Sequence, residues 1–332
     1  MKKTLFTILA AAALVGCAKE EVVTVDQEAI SFDNAFVDNA TKSNDAFTIT
    51  STSIDEFQVY GTTKGNETGA ELVPIFNHVT VELDGTAWKY ADDYTQYWVN
   101  GNSYNFAALV NVASTDVTLV KEVPSEIKCD ISAQKDILYA ANAFGEYTKG
   151  TSVTTVPFTF NHLLSKVFFT FQNTMTTNSA SNIYTYRITD IQINDAAKVA
   201  TGTVAGVWGT PTDTYDVEFG NITKVFDTAS ANVGEATEIG AVGATDQSTS
   251  LDSRLMIPQT NASLNITCTI ETLLNHKVID VENYSTAVTK TLEAGKVYNF
   301  ILTKNNPGDK IEFTVTTVTE WDETHSNYNN NL

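Results

Sequence analysis

Positive charge is scarce in this chain. Lys and Arg together number 20 against 40 Asp and Glu, only Arg187 and Arg254 are arginines, and the net charge is −20. A surface this acidic offers no footprint for a phosphate backbone or for anionic lipid head groups, so no nucleic-acid partner is expected. Cysteine is rarer still, with three in 332 residues. Cys129 and Cys268 stand far apart, and two thiols each buried as a small hydrophobe are the simpler reading, although a disulfide between them stays open. The four histidines (His78, His162, His276 and His325) show no ligand spacing with each other or with cysteine, so neither a metal nor another cofactor is expected. Past the N-terminus no apolar run is long enough to span a bilayer. Helical periodicity is also scarce, leaving room for short helices only around Asp136 to Asn142 and after Asn161.

What the chain does have begins at its first residues. Lys2 and Lys3 precede an apolar run from Leu5 to Val15, too short for a stable membrane span and followed at once by polar residues, which reads as a secretory signal over residues 1–16. The segment Leu14, Val15, Gly16, Cys17 resembles a bacterial lipobox, in which Cys17 becomes the acylated first residue of the mature protein. Each buried acyl methylene contributes about 0.8 kcal/mol, so several chains together anchor a protein to the outer membrane. Lys19, Glu20 and Glu21 follow, similar to a tag for export to the cell surface.

The mature part is rich in Thr, Val, Asn, Tyr and Phe, the usage of strands and turns. Apolar residues alternate in many places: Ile30, Phe32 and Phe36; Phe57 and Val59; Phe158 and Phe160; Val167, Phe169 and Phe171; Tyr298, Phe300 and Leu302; Ile311, Phe313 and Val315. Period-2 runs separated by Gly, Asn and Asp clusters predict antiparallel β-sandwiches. Two polar stretches, Asn173 to Asn182 and Gly234 to Ser250, read as exposed loops. The order Asn102, Ser103, Tyr104, Asn105, Phe106 recurs weakly as Lys296, Val297, Tyr298, Asn299, Phe300. This hints at two related β-domains, placed at 46–166 and 167–332 after a lipidated N-terminal segment at 17–45.

Several short patterns, in order along the chain, resemble the fimbrillin-like proteins, the pilus subunits and accessory lipoproteins of anaerobic Gram-negative bacteria. Trp88, Tyr90, Tyr97 and Trp98 lead into Tyr104, Phe106 and Ala108, similar to that family's tryptophan strand and following Y-x-F-x-A. Asp136, Tyr139 and Ala140 resemble D-x-x-Y-A. Phe160, His162, Lys166 and Val167 resemble F-x-H-x-x-x-K-apolar. Met256, Ile257, Pro258 and Gln259 resemble a hydrophobic-Pro-Gln turn, and Gly295, Lys296 and Tyr298 precede a last strand ending at Trp321. The resemblance implies an all-β chain of two tandem transthyretin-like antiparallel sandwiches, with no catalytic role, whose partners are other fimbrial subunits or further copies of itself. In the pilus-forming relatives a protease removes the first strand and a strand of the next subunit fills the groove. Here that strand would run from Glu28 to Phe36 with Ile30, Phe32 and Phe36 as plugs, or it is simply the permanent first strand of the sandwich. A cut after an arginine is excluded near it, and Lys42 is the nearest basic residue, the candidate processing site.

Two other constellations bear on function. His162 and Ser165 lie three apart, but no G-x-S-x-G elbow or placed acid accompanies them, so no enzymatic activity is expected. The dense aromatics Trp88, Tyr90, Tyr94, Tyr97 and Trp98 combine core positions with a face that flat sugars could stack on, Tyr94 and Tyr97 being the candidates for exposure. The leading reading is therefore a fimbrial surface lipoprotein acting in adhesion by strand exchange. The second is an anchored monomer that binds host or bacterial surface glycans.

Overall fold

The computed structural model describes residues 27–37, 54–152, 154–172, 177–224, 238–240, 247–250 and 253–318. Nine strands precede residue 163. They are β1 (Ser31–Val37), β2 (Glu56–Lys64), β3 (Leu72–Asp84), β4 (Ala87–Lys89) and β5 (Ser103–Val110), then β6 (Val117–Val120), β7 (Val123–Asp130), β8 (Leu138–Phe144) and β9 (Thr155–His162). Eleven follow. The first are β10 (Ser165–Gln172), β11 (Tyr184–Thr203), β12 (Asp213–Gly220), β13 (Ile222–Lys224), β14 (Ile239–Gly240) and β15 (Gln247–Ser250). The last are β16 (Arg254–Met256), β17 (Gln259–Leu274), β18 (Lys277–Leu292), β19 (Val297–Thr303) and β20 (Glu312–Val318).

The first sheet has the order β1-β9-β8-β5-β2-β3-β4. Its alternating apolar residues bury one face in a core of its own, built from Phe32, Phe57, Phe76, Phe106, Phe158 and Phe160 among others. A second sheet, β13-β15-β10-β19-β20 with β16 on β10, faces a third, β18-β17-β11-β7-β6 with β12 and β14 on β11. Val167, Phe169, Phe171, Phe300 and Leu302 of the second sheet meet Ile188, Ile193, Ile266 and Ile270 of the third in a sandwich core. The whole is therefore an all-β chain of packed sheets, in which period-2 patterning puts every second side chain inward.

A third core joins these two units. Tyr60 and Leu109 from the opposite face of the first sheet pack with Ile127, Cys129, Phe168, Leu255 and Val297. Strands β2, β5, β10 and β19 are thus covered on both faces and read as near-continuous buried runs. The β6–β7 hairpin, which precedes two strands of the first sheet in the chain, pairs with β11 from Val199↔Asp130 to Thr203↔Glu126. It stitches the third sheet to the N-terminal part of the chain.

Several expectations need correction. Residues 138–144 and 165–172, where short helices had room, are strands β8 and β10. Burial on both faces of β10 hides the period that would have separated strand from helix. Within Gly234 to Ser250, read as one loop, β14 and β15 pair with β11 and β10. The sheets are not wholly antiparallel, because β1 runs parallel to β9 and β10 parallel to β19.

The weak internal repeat has a structural counterpart. Tyr104 in β5 accepts the Val99 backbone N–H at 2.7 Å, and Tyr298 in β19 accepts that of Glu293 at 2.8 Å. In each case a glycine three residues before the tyrosine, Gly101 at φ +88° and Gly295 at φ +68°, takes the left-handed turn that folds the chain back over the ring. Tyr104→Phe and Tyr298→Phe should each leave one backbone N–H unsatisfied and cost about 1–3 kcal/mol in urea unfolding, against no change if water replaces the hydroxyl freely.

Cys129 and Cys268 are free thiols in two different cores. Burial pushes both up to about 12. Neither should react with an aromatic disulfide reagent at pH 8 until the chain is unfolded, when both should titrate.

Candidate functional site: the groove closed by the first strand

Strand β1 is the end strand of the first sheet, yet it carries side chains into the middle of that sheet's core. Ile30 and Phe32 are 1% and 4% exposed. The Phe32 ring lies stacked on Phe158 with centroids 5.8 Å apart. It meets Phe76, Tyr90, Phe106 and Phe57 edge-on at 5.4, 5.7, 6.0 and 6.3 Å. Offset and edge-on geometries are those favoured by the ring quadrupole, and each such pair contributes about 0.5–1.5 kcal/mol beyond area burial.

The backbone of this segment is held from two sides. On one side, Ser31 to Val37 run parallel to Thr155 to Phe160 of β9. On the other, Ile30 N–H donates to the Gln96 carbonyl at 2.8 Å and Trp98 N–H to that of Glu28 at 2.9 Å. Tyr90 Oη donates to the Ile30 carbonyl at 2.6 Å, and Tyr147 Oη donates to the Glu28 carboxylate. Trp98 Nε1 closes the upper end on the Thr154 carbonyl at 2.8 Å. Burial is the chief reason the Tyr90 phenol titrates above its ordinary value. Residues 28–37 therefore fill a slot between β9 and the 96–98 segment, as a strand added to two edges would.

Alternation does not run unbroken through this strand. A register shift between Asp33 and Ala35 puts Ala35 and Val37 opposite the buried Phe158 and Phe160, and Phe36 opposite the exposed Thr159. The shift is a β-bulge in the backbone pairing. The Phe36 side chain, together with Cys17 and Lys42, lies outside the described residues.

The structure divides the dense aromatics. Trp98 is buried against Tyr104 and Tyr147, at 4.6 and 5.1 Å, and Trp88 packs on Phe57 at 4.8 Å. Tyr94 and Tyr97 remain 51% and 45% exposed. Tyr94 ends a short 3₁₀ turn, Asp92–Tyr94, and Tyr97 forms an isolated bridge with Ala29.

The histidine and serine are not a nucleophile and its base. Ser165 Oγ donates to the Met256 carbonyl at 3.3 Å. His162 Nδ1 instead lies 2.6 Å from Asp136 Oδ2, with both side chains buried. Two patterns separated by 26 residues in sequence thus meet in one buried pair at the foot of β9. Sequence reasoning treated them apart. Their shared signal is a lone acid and a lone histidine, each at the start or end of an apolar strand. Among the described residues no group of three or more His, Cys, Asp or Glu is placed to hold a metal, and no helix is long and apolar enough to cross a membrane.

Phe32→Ala should lower stability by about 3–5 kcal/mol, as truncation of a packed core ring does. Tyr97→Ala should stay within about 0.5 kcal/mol. Urea unfolding of the two variants checks this, and equal small losses would remove Phe32 from the centre of the core.

Comparison with known proteins agrees with this architecture. The family model described as fimbrillin-like matches residues 36–321. A fimbrial protein from Bacteroides vulgatus is similar at 15% identity and TM-score 0.61, with 89% of this chain and 99% of that one covered. A candidate cell adhesion protein from Bacteroides uniformis aligns at 14% identity and TM-score 0.48, covering 89% and 99%. The tip fimbrial protein Mfa3 from Porphyromonas gingivalis aligns at 10% identity and TM-score 0.36, covering 81% and 94%. At such identities the first likeness speaks for the fold alone. Comparison with curated proteins gives no match. With the family model covering most of its length, the chain belongs to the fimbrillin-like family.

Proposed function

We propose that this protein is a surface-exposed fimbrial subunit, structural or accessory, that acts in adhesion and joins other subunits or further copies of itself by strand exchange. The observation that carries the reading is the placement of Phe32. A residue of an end strand supplies the central ring of the first sheet's core, so removal of β1 would open an apolar slot in that sheet. A strand from a neighbour can fill that slot with the same ladder to β9 and the same short bridge to residues 96–98, alternate side chains setting register. Ile30, Phe32 and Phe36 are the plugs to be matched.

Three further parts complete the proposal. Cys17 carries the lipid that holds an unassembled subunit at the outer membrane. The link between Val37 and Ile54 holds Lys42, where a lysine-directed protease would cut to release β1. The protein does no catalysis: the Asp136–His162 pair is buried and hydrogen-bonded as an internal polar tie, and Ser165 is committed to a backbone carbonyl.

The test is controlled trypsin treatment of the delipidated mature protein, with mass spectrometry to place the cut, unboiled SDS gels and negative-stain microscopy. Cleavage at Lys42 should yield an SDS-resistant ladder and thin filaments, and Lys42→Ala should suppress both. A cut chain that stays monomeric, alone and with fimbrial partners, would overturn strand exchange.

A further inference from the structure

A cleft of about 630 Å³ opens beside β3 and β4. Its walls include His78, Glu82, Asp84, Lys89, Tyr90 and Tyr94. The volume lies within the range of about 300–1,000 Å³ typical of small-molecule sites. Tyr94, half exposed on its 3₁₀ turn, lines the cleft. Tyr90 forms a fixed wall, since its hydroxyl is committed to Ile30 and its ring to Phe32 and Phe76.

The charged groups of the lining are Glu82, Asp84 and Lys89. Lys89 Nζ is bound to Asp84 Oδ2 at 2.5 Å, and Glu82 lies opposite Lys89 in the β3–β4 register. Hydrogen bonding and then charge from Lys89 hold the Asp84 carboxyl below its usual range. One cation is thus matched by two carboxylates, on a chain of net charge −20. An anionic ligand is repelled here. A polyhydroxylated neutral one is not, because carboxylates and an ammonium take hydroxyl groups as donors and acceptors while an aromatic face takes the C–H face of a pyranose.

We infer that the β3–β4 cleft is a binding site for neutral saccharides, hexose or N-acetylhexosamine units, with Tyr94 as the stacking ring and Glu82, Asp84 and Lys89 as the hydroxyl-binding groups. The site says what the adhesive reading touches and rests on that reading, but it does not rest on strand exchange. The uncut monomer contains every residue of it.

The experiment is isothermal titration of the full mature, uncut chain with neutral galactose-, glucose- and N-acetylhexosamine-terminated oligosaccharides and with their sialylated counterparts. Saturable binding to at least one neutral glycan is expected, weakened at least tenfold by sialylation. Tyr94→Ala should lower affinity at least tenfold and Tyr94→Phe less than twofold, while Tyr97→Ala, exposed but outside the cleft, should leave it unchanged. Glu82→Gln serves as a second variant that keeps the ring in place and should weaken binding several-fold, with thermal midpoints confirming that each variant folds. No binding to any neutral glycan, equal or better binding to the sialylated forms, or binding indifferent to Tyr94→Ala and Glu82→Gln would overturn the inference. Failure of the cut chain to polymerise would leave it standing, and failure of sugar binding would leave strand exchange standing.

Discussion

The contact between Phe32 and the rings around it is the constraint on which the first sheet depends. Five aromatic side chains from β2, β3, β5, β9 and the turn after β4 converge on a ring brought in by the sheet's own end strand. An interior packed to crystal-like density cannot lose its central ring and simply shrink, so the sheet is complete only while some strand occupies that slot. The backbone supports the same requirement. Residues 28–37 satisfy groups on β9 and on the 96–98 segment at once, and an empty slot would bare both edges to solvent and to other strands.

The rest of the molecule is tied to this sheet by burial on both faces rather than by a linker. Tyr60 and Leu109 point away from Phe32 and into the joint core with Phe168, Leu255 and Val297. The β6–β7 hairpin reaches over to β11, and the Asp136–His162 pair sits where β9 ends and β10 begins. A buried pair of this kind adds little net stability over apolar packing, while breaking it by removing one partner is costly. It fixes how two strand ends meet. The β3–β4 cleft belongs to the same frame, because its Tyr90 wall is pinned to β1 through the Ile30 carbonyl and the Phe32 ring. Whatever strand fills the slot therefore helps to shape that wall.

Much of the fold was legible because alternation is a local property. Phe158 and Phe160, Phe169 and Phe171, and Phe300 and Leu302 all point into cores as their spacing predicts. The glycine-to-tyrosine echo of β5 and β19 was visible as a three-residue match, and only the structure shows why it recurs, with each hydroxyl capping a backbone N–H five residues back. What sequence could not give was anything set by non-local pairing. Strand β10 lost its period to two-sided burial, and the register shift between Asp33 and Ala35 is visible only in the pairing with β9. The partnership of Asp136 with His162 needed the β8–β9 register. The sorting of Trp88 and Trp98 from Tyr94 and Tyr97 needed the packing itself, since all four sit in one aromatic-rich run.

The central claim is that residues 27–37 are a replaceable part of a core that cannot do without them. It is tested by inserting a specific protease site at Lys42 in the full mature chain, cutting under native conditions, and adding a fluorescent peptide of residues 27–37. The account predicts that the N-terminal fragment stays bound after the cut and is slowly displaced by the labelled peptide, and that a peptide carrying Phe32→Asp does not enter. Immediate loss of the fragment from a cut chain that keeps its stability, or uptake of the Phe32→Asp peptide as readily as the native one, would contradict it.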